Sequence, residues 1–232
     1  MFIKKWYLRI VIFMSAVNLI TAAKACEVAL ALTVDISGSV DKQEYALQMN
    51  GLAGALRDAT VADALVERKA ALMLVQWTGT SRQVVSVPWA RMTDLDAVEV
   101  MAGKIENAPR EWRNFSTAIG DALTFTSGQF SQVKDCERKV IDVSGDGYSN
   151  EGVEPLALQK HLVDDGFTIN GLAIEGSSND LTSYYRDHVI AGPRSFVMTA
   201  NTFDEYPKRI KQKLFKEVTN QVAGLAKPAN RL

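Results

Sequence analysis

Asp35, Ser37 and Ser39 alternate over five residues in the stretch Val28–Val40, VALALTVDISGSV. One carboxylate and two hydroxyls from a single loop are three hard oxygen donors, suited to Mg²⁺ or another hard divalent cation and not to a soft metal. An ordinary strand-to-helix turn, its serines capping the helix, uses the same residue types. The remaining ligands must therefore come from elsewhere in the chain. Apolar residues fill Val28 to Val34 without alternation, as in a strand buried on both faces of a parallel sheet. In open α/β sheets ligands bind in the crevice at the carboxyl ends of the strands, and Asp35 stands at such an end.

Mg²⁺ takes about six oxygens and keeps some of its waters. Two other places offer oxygens at matching positions. Asp146, in Val143-Ser-Gly-Asp-Gly147, follows the carboxyl end of another apolar run. Thr117 lies at the start of a helical pattern in Asn114-Phe-Ser-Thr-Ala-Ile-Gly-Asp-Ala-Leu123, where its hydroxyl either caps that helix or turns to a metal. Asp121 reads as a solvated helix position, and Asp142, inside a strand, as a carboxylate with a structural partner. Trp77, Trp89, Trp112 and Phe115 are candidates for a rim, or for core and hairpin packing.

The elements that must position these groups follow from periodicity. Asp41-Lys-Gln-Glu44 forms a capping box for a helix to about Asp58, with Tyr45, Met49, Leu52 and Leu56 on one face. Lys69–Trp77 is a second buried strand. Gln83–Pro88 alternates as an edge strand closed by Pro88, making an antiparallel hairpin with it. Helices are expected over 94–107, 117–130, 153–164, 180–189 and 204–222, and strands over 139–144, 168–174 and 195–199. Strands alternating with helices, with one hairpin, predict a doubly wound α/β fold: a mostly parallel six-stranded sheet with one antiparallel edge strand and helices on both faces, Rossmann-like.

The chain has 232 residues, enough for one sizeable core. Lys4, Lys5 and Arg9 precede an apolar run from Ile10 to Ala23, and Ala23-Lys24-Ala25 reads as an A-x-A cleavage site. This is the pattern of a secretory signal peptide over 1–25, followed by a domain over 26–225 and a C-terminal tail over 226–232. The expectation is a periplasmic or secreted protein with no membrane span after cleavage. Removing the four basic residues of the leader takes the formal charge from −1 to −5, a balance that argues against nucleic-acid binding. Cys26 and Cys136 are the two cysteines of the chain, and each stands just before a predicted strand. If those strands are parallel neighbours, the cysteines share a sheet edge and can form one disulfide, stabilising by about 4–5 kcal/mol in the chain-entropy model. Two free thiols, or lipidation of Cys26, are the alternatives.

Asp35-x-Ser37-x-Ser39, Thr117 in Thr-x-Ile-Gly-x-Ala-Leu, and Asp146 in Ser-Gly-Asp-Gly together resemble the von Willebrand factor type A domain, over nearly the whole mature chain. The IDVSGDG, INGLAI and SYYRD…AGP stretches further resemble a group of exported bacterial type A-like proteins without an assigned activity. The resemblance implies a metal-ion-dependent adhesion site for Mg²⁺, or Mn²⁺ or Ca²⁺. Ser37 and Ser39 would be direct ligands, Thr117 direct or through water, and Asp35 and Asp146 mostly through water. It also implies a protein partner whose carboxylate completes the coordination. The chain departs from the family where two glycines usually precede the threonine: Phe115 and Ser116 stand there.

The function expected is thus an exported binding module, not an enzyme. A metal-dependent hydrolase or phosphoryl-transfer enzyme is the runner-up, but His161 and His188 lie in predicted helices away from the crevice, and no nucleophile elbow or phosphate loop is present. A scaffold that keeps the fold without using the metal is the third reading.

Overall fold

In the computed structural model, residues 26–176 and 180–219 are described. The expected signal peptide, the end of the helix expected over 204–222 and the expected C-terminal tail lie outside them. The chain runs through β1 (Val28–Asp35), α1 (Lys42–Arg57), α2 (Ala59–Glu67), β2 (Ala71–Trp77), β3 (Gln83–Arg91), α3 (Leu95–Glu106), α4 (Ile119–Gln129), β4 (Arg138–Gly145), α5 (Pro155–Asp164), β5 (Phe167–Ile174), α6 (Leu181–Tyr184), β6 (Val197–Ala200) and α7 (Tyr206–Thr219). A π-helical turn, Tyr185–Val189, continues α6.

The strands order as β3-β2-β1-β4-β5-β6. All neighbouring pairs are parallel except β2 with β3. The expected six-stranded sheet with one antiparallel edge is therefore the observed one. β1 lies at its centre and is buried along its whole length. Its side chains alternate in size with the two faces: Val28, Leu30, Leu32 and Val34 enter the core under α1, α2, α3 and α7, while Ala29 and Ala31 face the core shared with α4 and α5. Full burial of each Val or Leu contributes about 1.5–3 kcal/mol, which fixes the strand's register and so the height of Asp35 at its end.

Two boundaries differ from the sequence reading. Pro88 does not end β3; the strand continues to Arg91, and the register slips between Leu74–Val87 and Leu72–Ala90. A proline on an edge strand needs no ladder donor, and the bulge absorbs it. Residues 59–67 form α2, which the sequence pattern did not reveal. Its N-cap Asp58 accepts from the Thr60 amide at the same residue that ends α1. The capping box of α1 is formed as expected: Asp41 Oδ1 accepts from the amides of Gln43 and Glu44, and Glu44 Oε2 from the amide of Asp41.

Cys26 and Cys136 are joined by a disulfide at the amino-terminal edge of β1 and β4, their Cα atoms 4.4 Å apart. Parallel pairing of these strands, with Val28 opposite Arg138, brings the cysteines together. On the other face of the sheet, Lys213 of α7 is fully buried, with its Nζ 2.6 Å from both Asp142 Oδ1 on β4 and Glu217 Oε1 one turn on. Asp142 thus has the structural partner anticipated for it.

Candidate functional site

Three loops meet at the carboxyl end of the sheet, where β1 and β4 stop side by side. The first is held by its own carboxylate. Asp35 Oδ1 accepts from the Ser37 amide at 2.7 Å, and the Ile36 amide donates to Trp77 O at 2.9 Å. Ser37 Oγ lies 3.2 Å from Ser39 Oγ, and Ser39 Oγ donates to Asp146 Oδ1 at 2.7 Å. The two hydroxyls and the second carboxylate therefore form a continuous chain of oxygens from the first loop to the third.

Thr117 is buried just before α4, whose N-cap is Ala118 with no side-chain cap. The capping alternative for its hydroxyl does not apply. Its backbone is pinned to the third loop: the Thr117 amide donates to Asn150 Oδ1 at 3.0 Å, and the Asn150 amide returns to Thr117 O at 2.9 Å. A Cβ on Gly147 would sit 3.4 Å from Thr117 Oγ1, so the absence of a side chain there lets the hydroxyl face the Asp146 loop. All five residues singled out in the sequence thus converge on one crevice. Three are linked hydroxyl to hydroxyl to carboxylate, Asp35 lies beneath them, and Thr117 faces them across Gly147.

The electrostatics of this crevice are unbalanced. Asp35 is fully buried, and its Oδ2 has no hydrogen-bond partner among the described residues. Burial first, and the neighbouring Asp146 second, push its carboxyl up to about 8. Asp146 is raised by burial as well, against the Ser39 hydroxyl that lowers it. A buried carboxylate is tolerated only with a compensating charge or hydrogen bonds. The nearby cation Arg110 directs its guanidinium to main-chain carbonyls instead, with Nη2 3.0 Å from both Ile36 O and Ser37 O. An orphaned buried oxygen among hard oxygen donors fits a divalent cation. Among the described residues no group of three or more His, Cys, Asp and Glu stands together. Two carboxylates and three hydroxyls make a hard oxygen set of the kind a divalent cation takes.

The crevice opens to a cleft of about 270 Å³ lined by Gly38, Ser39, Thr117 and Asp146 at its floor and by Phe115 and Tyr148 at its mouth. Phe115 and Tyr148 are 39% and 40% exposed, and the Arg82 guanidinium covers the Phe115 ring at 3.9 Å. Phe115 stands where a glycine was expected, yet it does not close the site: its side chain lies at the rim, and its carbonyl accepts from the Gly38 amide at 2.8 Å. Trp77 is fully buried and Trp89 packs edge-on against Phe130, so neither reaches the rim.

Sequence reasoning missed Arg110 and Asn150, which clamp the first and second loops. Their only signal was position: an arginine directly after Pro109, and an asparagine in the turn after Gly-Asp-Gly. Asp121 is a partly exposed residue in the first turn of α4, and its Oδ1 also accepts from the Val153 amide at 3.0 Å, which ties the helix to the third loop. Neither His161 nor His188 lines the cleft; His188 stacks on Tyr184, whose ring meets Tyr148 edge-on.

A family model described as a protein of unknown function, DUF1194, matches residues 25–222. No curated protein matches the chain. Among solved structures the chain is similar to proximal thread matrix protein 1 from the mussel byssus, at 18% identity and a TM-score of 0.64, over 84% of this chain and 46% of that one. The same mussel protein, solved with a zinc-occupied MIDAS motif, matches at 18% identity and a TM-score of 0.59, over 86% and 50%. A von Willebrand factor type A protein from Catenulispora acidiphila matches at 18% identity and a TM-score of 0.58, over 83% and 43%. The chain spans half or less of each of these proteins, and the likeness is one of fold: the sheet and its helices are those of a type A domain.

Proposed function

Since the chain belongs to the DUF1194 family and carries the von Willebrand factor type A fold, we propose that it is an exported binding module. In this reading it holds a divalent cation at the β1–β4 crevice and uses it to engage an acidic group of a protein partner. The observation that carries the reading is the oxygen chain Ser37–Ser39–Asp146, with the Thr117 hydroxyl facing it across Gly147. Ser37, Ser39 and Thr117 would hold Mg²⁺ or Mn²⁺ through their hydroxyls, with Asp35 and Asp146 supplying charge around it. Mg²⁺ binds carboxylate-poor oxygen sets and retains exchangeable positions, and a bound ion would offer one of these to a carboxylate from outside. The zinc-occupied motif of the mussel protein supports cation use by this fold.

The chain's own residues do the rest. Arg110 fixes the first loop from behind, Asn150 fixes the second, and the cleft between Phe115 and Tyr148 has room for one side chain bearing a carboxylate. We read the site as one for docking, since among the described residues no histidine lines the cleft and its hydroxyls are the proposed cation ligands. Export is supported by the leader pattern over 1–25 and by the Cys26–Cys136 disulfide, a bond that persists in oxidising compartments.

Calorimetric titration of Mg²⁺ and Mn²⁺ tests the reading on the wild type and on the Asp35→Ala, Ser37→Ala double variant. Binding by the wild type and none by the variant is expected; equal affinity in both overturns the proposed site. Affinity capture from periplasm with and without EDTA then reports whether partner binding requires the ion.

A further inference from the structure

The SYYRD stretch noted in the sequence has a consequence at the cation site. α6 carries Tyr184 and runs into the π-helical turn Tyr185–Val189, closed by the Ile190 amide on Tyr185 O at 2.9 Å. π-helical turns recur at functional sites, where they re-aim a side chain without ending the helix. Here the turn delivers Tyr185 into the sheet. Its side chain is fully buried, and its hydroxyl has no hydrogen-bond partner among the described residues.

The slot that receives the ring is kept by two glycines. A Cβ on Gly171 of β5 would meet Tyr185 Cδ1 at 2.7 Å, and a Cβ on Gly145 of β4 would meet the Tyr185 hydroxyl at 2.8 Å. The same point above Gly145 lies 2.9 Å from Asp35 Oδ2. Two buried, unpartnered polar atoms, one a donor and one an acceptor, thus border the small gap that Gly145 leaves open. An unsatisfied buried hydroxyl is destabilising, so an isolated coincidence of this kind works against the fold.

We propose that Tyr185 is a positioning residue for the cation site: its hydroxyl supplies, across the Gly145 gap, the hydrogen bond that Asp35 Oδ2 lacks. The bond forms directly after a small side-chain adjustment or through one enclosed water, for which the two atoms are ready partners. This rests on the cation reading given above. Such a bond holds the Asp35 carboxylate in one orientation, with Oδ1 on the Ser37 amide and Oδ2 on tyrosine. Partners of this kind, which touch ligands and not the metal, change metal affinity by about 10–100-fold when removed. Tyr184 supports the same loops from the next position, accepting from the Ser149 amide at 3.3 Å while Ser149 Oγ accepts from the Ile119 amide at 3.2 Å.

The test is Tyr185→Phe, which keeps the ring and removes only the hydroxyl. Calorimetry with Mg²⁺ and Mn²⁺ should show affinity lowered about tenfold or more, a loss larger than any fall in metal-free stability accounts for. The wild type should also give a tyrosine ultraviolet difference signal on metal addition that is diminished in the variant. Equal affinity in the two proteins, with the wild type binding metal, overturns the role of Tyr185 and leaves the cation reading standing. Lower affinity with a matching loss of metal-free stability assigns the effect to packing and also overturns it. A wild type that binds neither ion overturns the cation reading and this inference together.

Discussion

Ser39 Oγ donates to Asp146 Oδ1 at 2.7 Å, joining residues 107 apart in sequence across the carboxyl ends of two neighbouring strands. The bond places the second carboxylate of the crevice on the same hydroxyl that the resemblance to type A domains assigns to a metal. This serine is the first of the groups that lower the Asp146 carboxyl against its burial, ahead of its own backbone amide and Arg110. Asp146→Asn keeps the shape, removes the charge that raises Asp35, and should therefore raise the metal-free melting temperature. Affinity for Mg²⁺ should fall at the same time, since part of the charge that attracts the ion is gone. Thermal melts with EDTA and calorimetry with Mg²⁺ measure the two effects; movement in the same direction would count against a cation site.

Arg110 acts on the first loop through geometry, its Nη2 3.0 Å from two successive carbonyls, Ile36 O and Ser37 O. Its Nη1 reaches a third carbonyl, Asp41 O, at 3.3 Å, so the planar fork spans three acceptors with two nitrogens, a spread that one ammonium cannot cover. Arg110→Ala should cost about 1–3 kcal/mol, the scale of hydrogen bonds from a charged donor, and should weaken Mg²⁺ binding. Arg110→Lys should recover little of either. Urea denaturation and metal titration on both variants check this; full rescue by lysine would show that charge alone matters.

Much of this was legible from the sequence because buried parallel strands are continuous apolar runs that stop at their functional ends. β1 and β4 announced Asp35 and Asp146 in this way, and the hairpin of β2 and β3 identified the antiparallel edge. What escaped depended on contacts made at long range. Arg110 has meaning only because the residues after Pro109 fold back over the Ser37 loop, and Asp121 only because the third loop passes over α4. Lys213 sits on the apolar face of an amphipathic helix, where periodicity expects a leucine, and its reason is Asp142 on a strand 71 residues earlier. Pro88 followed a sound local rule that an edge bulge sets aside.

The disulfide closes a loop between residues 110 apart, and the chain-entropy model gives such a crosslink about 4–5 kcal/mol. Replacing Cys26 and Cys136 together by serine should lower the urea midpoint accordingly, without changing metal affinity, since the bond lies at the opposite edge of the sheet from Asp35. Chemical denaturation of the variant against the oxidised wild type measures this. An unchanged midpoint would show that the unfolded chain was already constrained in that region.

The buried charges beneath α7 set a pH dependence of their own. One ammonium, Lys213, faces two carboxylates at 2.6 Å, so it can balance only one of them. Burial first, and Asp142 second, push Glu217 up to about 8, while Lys213 and the Asn170 amide, which donates to Oε1 at 2.9 Å, oppose the rise. A carboxyl whose folded value is raised contributes stability that is fully present below its unfolded value near 4.5 and lost as pH rises through about 8. The melting temperature should therefore fall between about pH 5 and 9, with Asp35 acting in the same direction over the same window. Glu217→Gln mimics the neutral acid, keeps acceptors for Lys213 and Asn170, and should flatten that slope in part while remaining close to wild type at pH 5. Lys213→Met should instead cost about 3–5 kcal/mol at neutral pH, because it leaves Asp142 buried without a cation. Melting curves across this pH range for the three proteins decide the matter, and an unaltered slope in Glu217→Gln would mean that Glu217 is ionised throughout and Lys213 is shared equally.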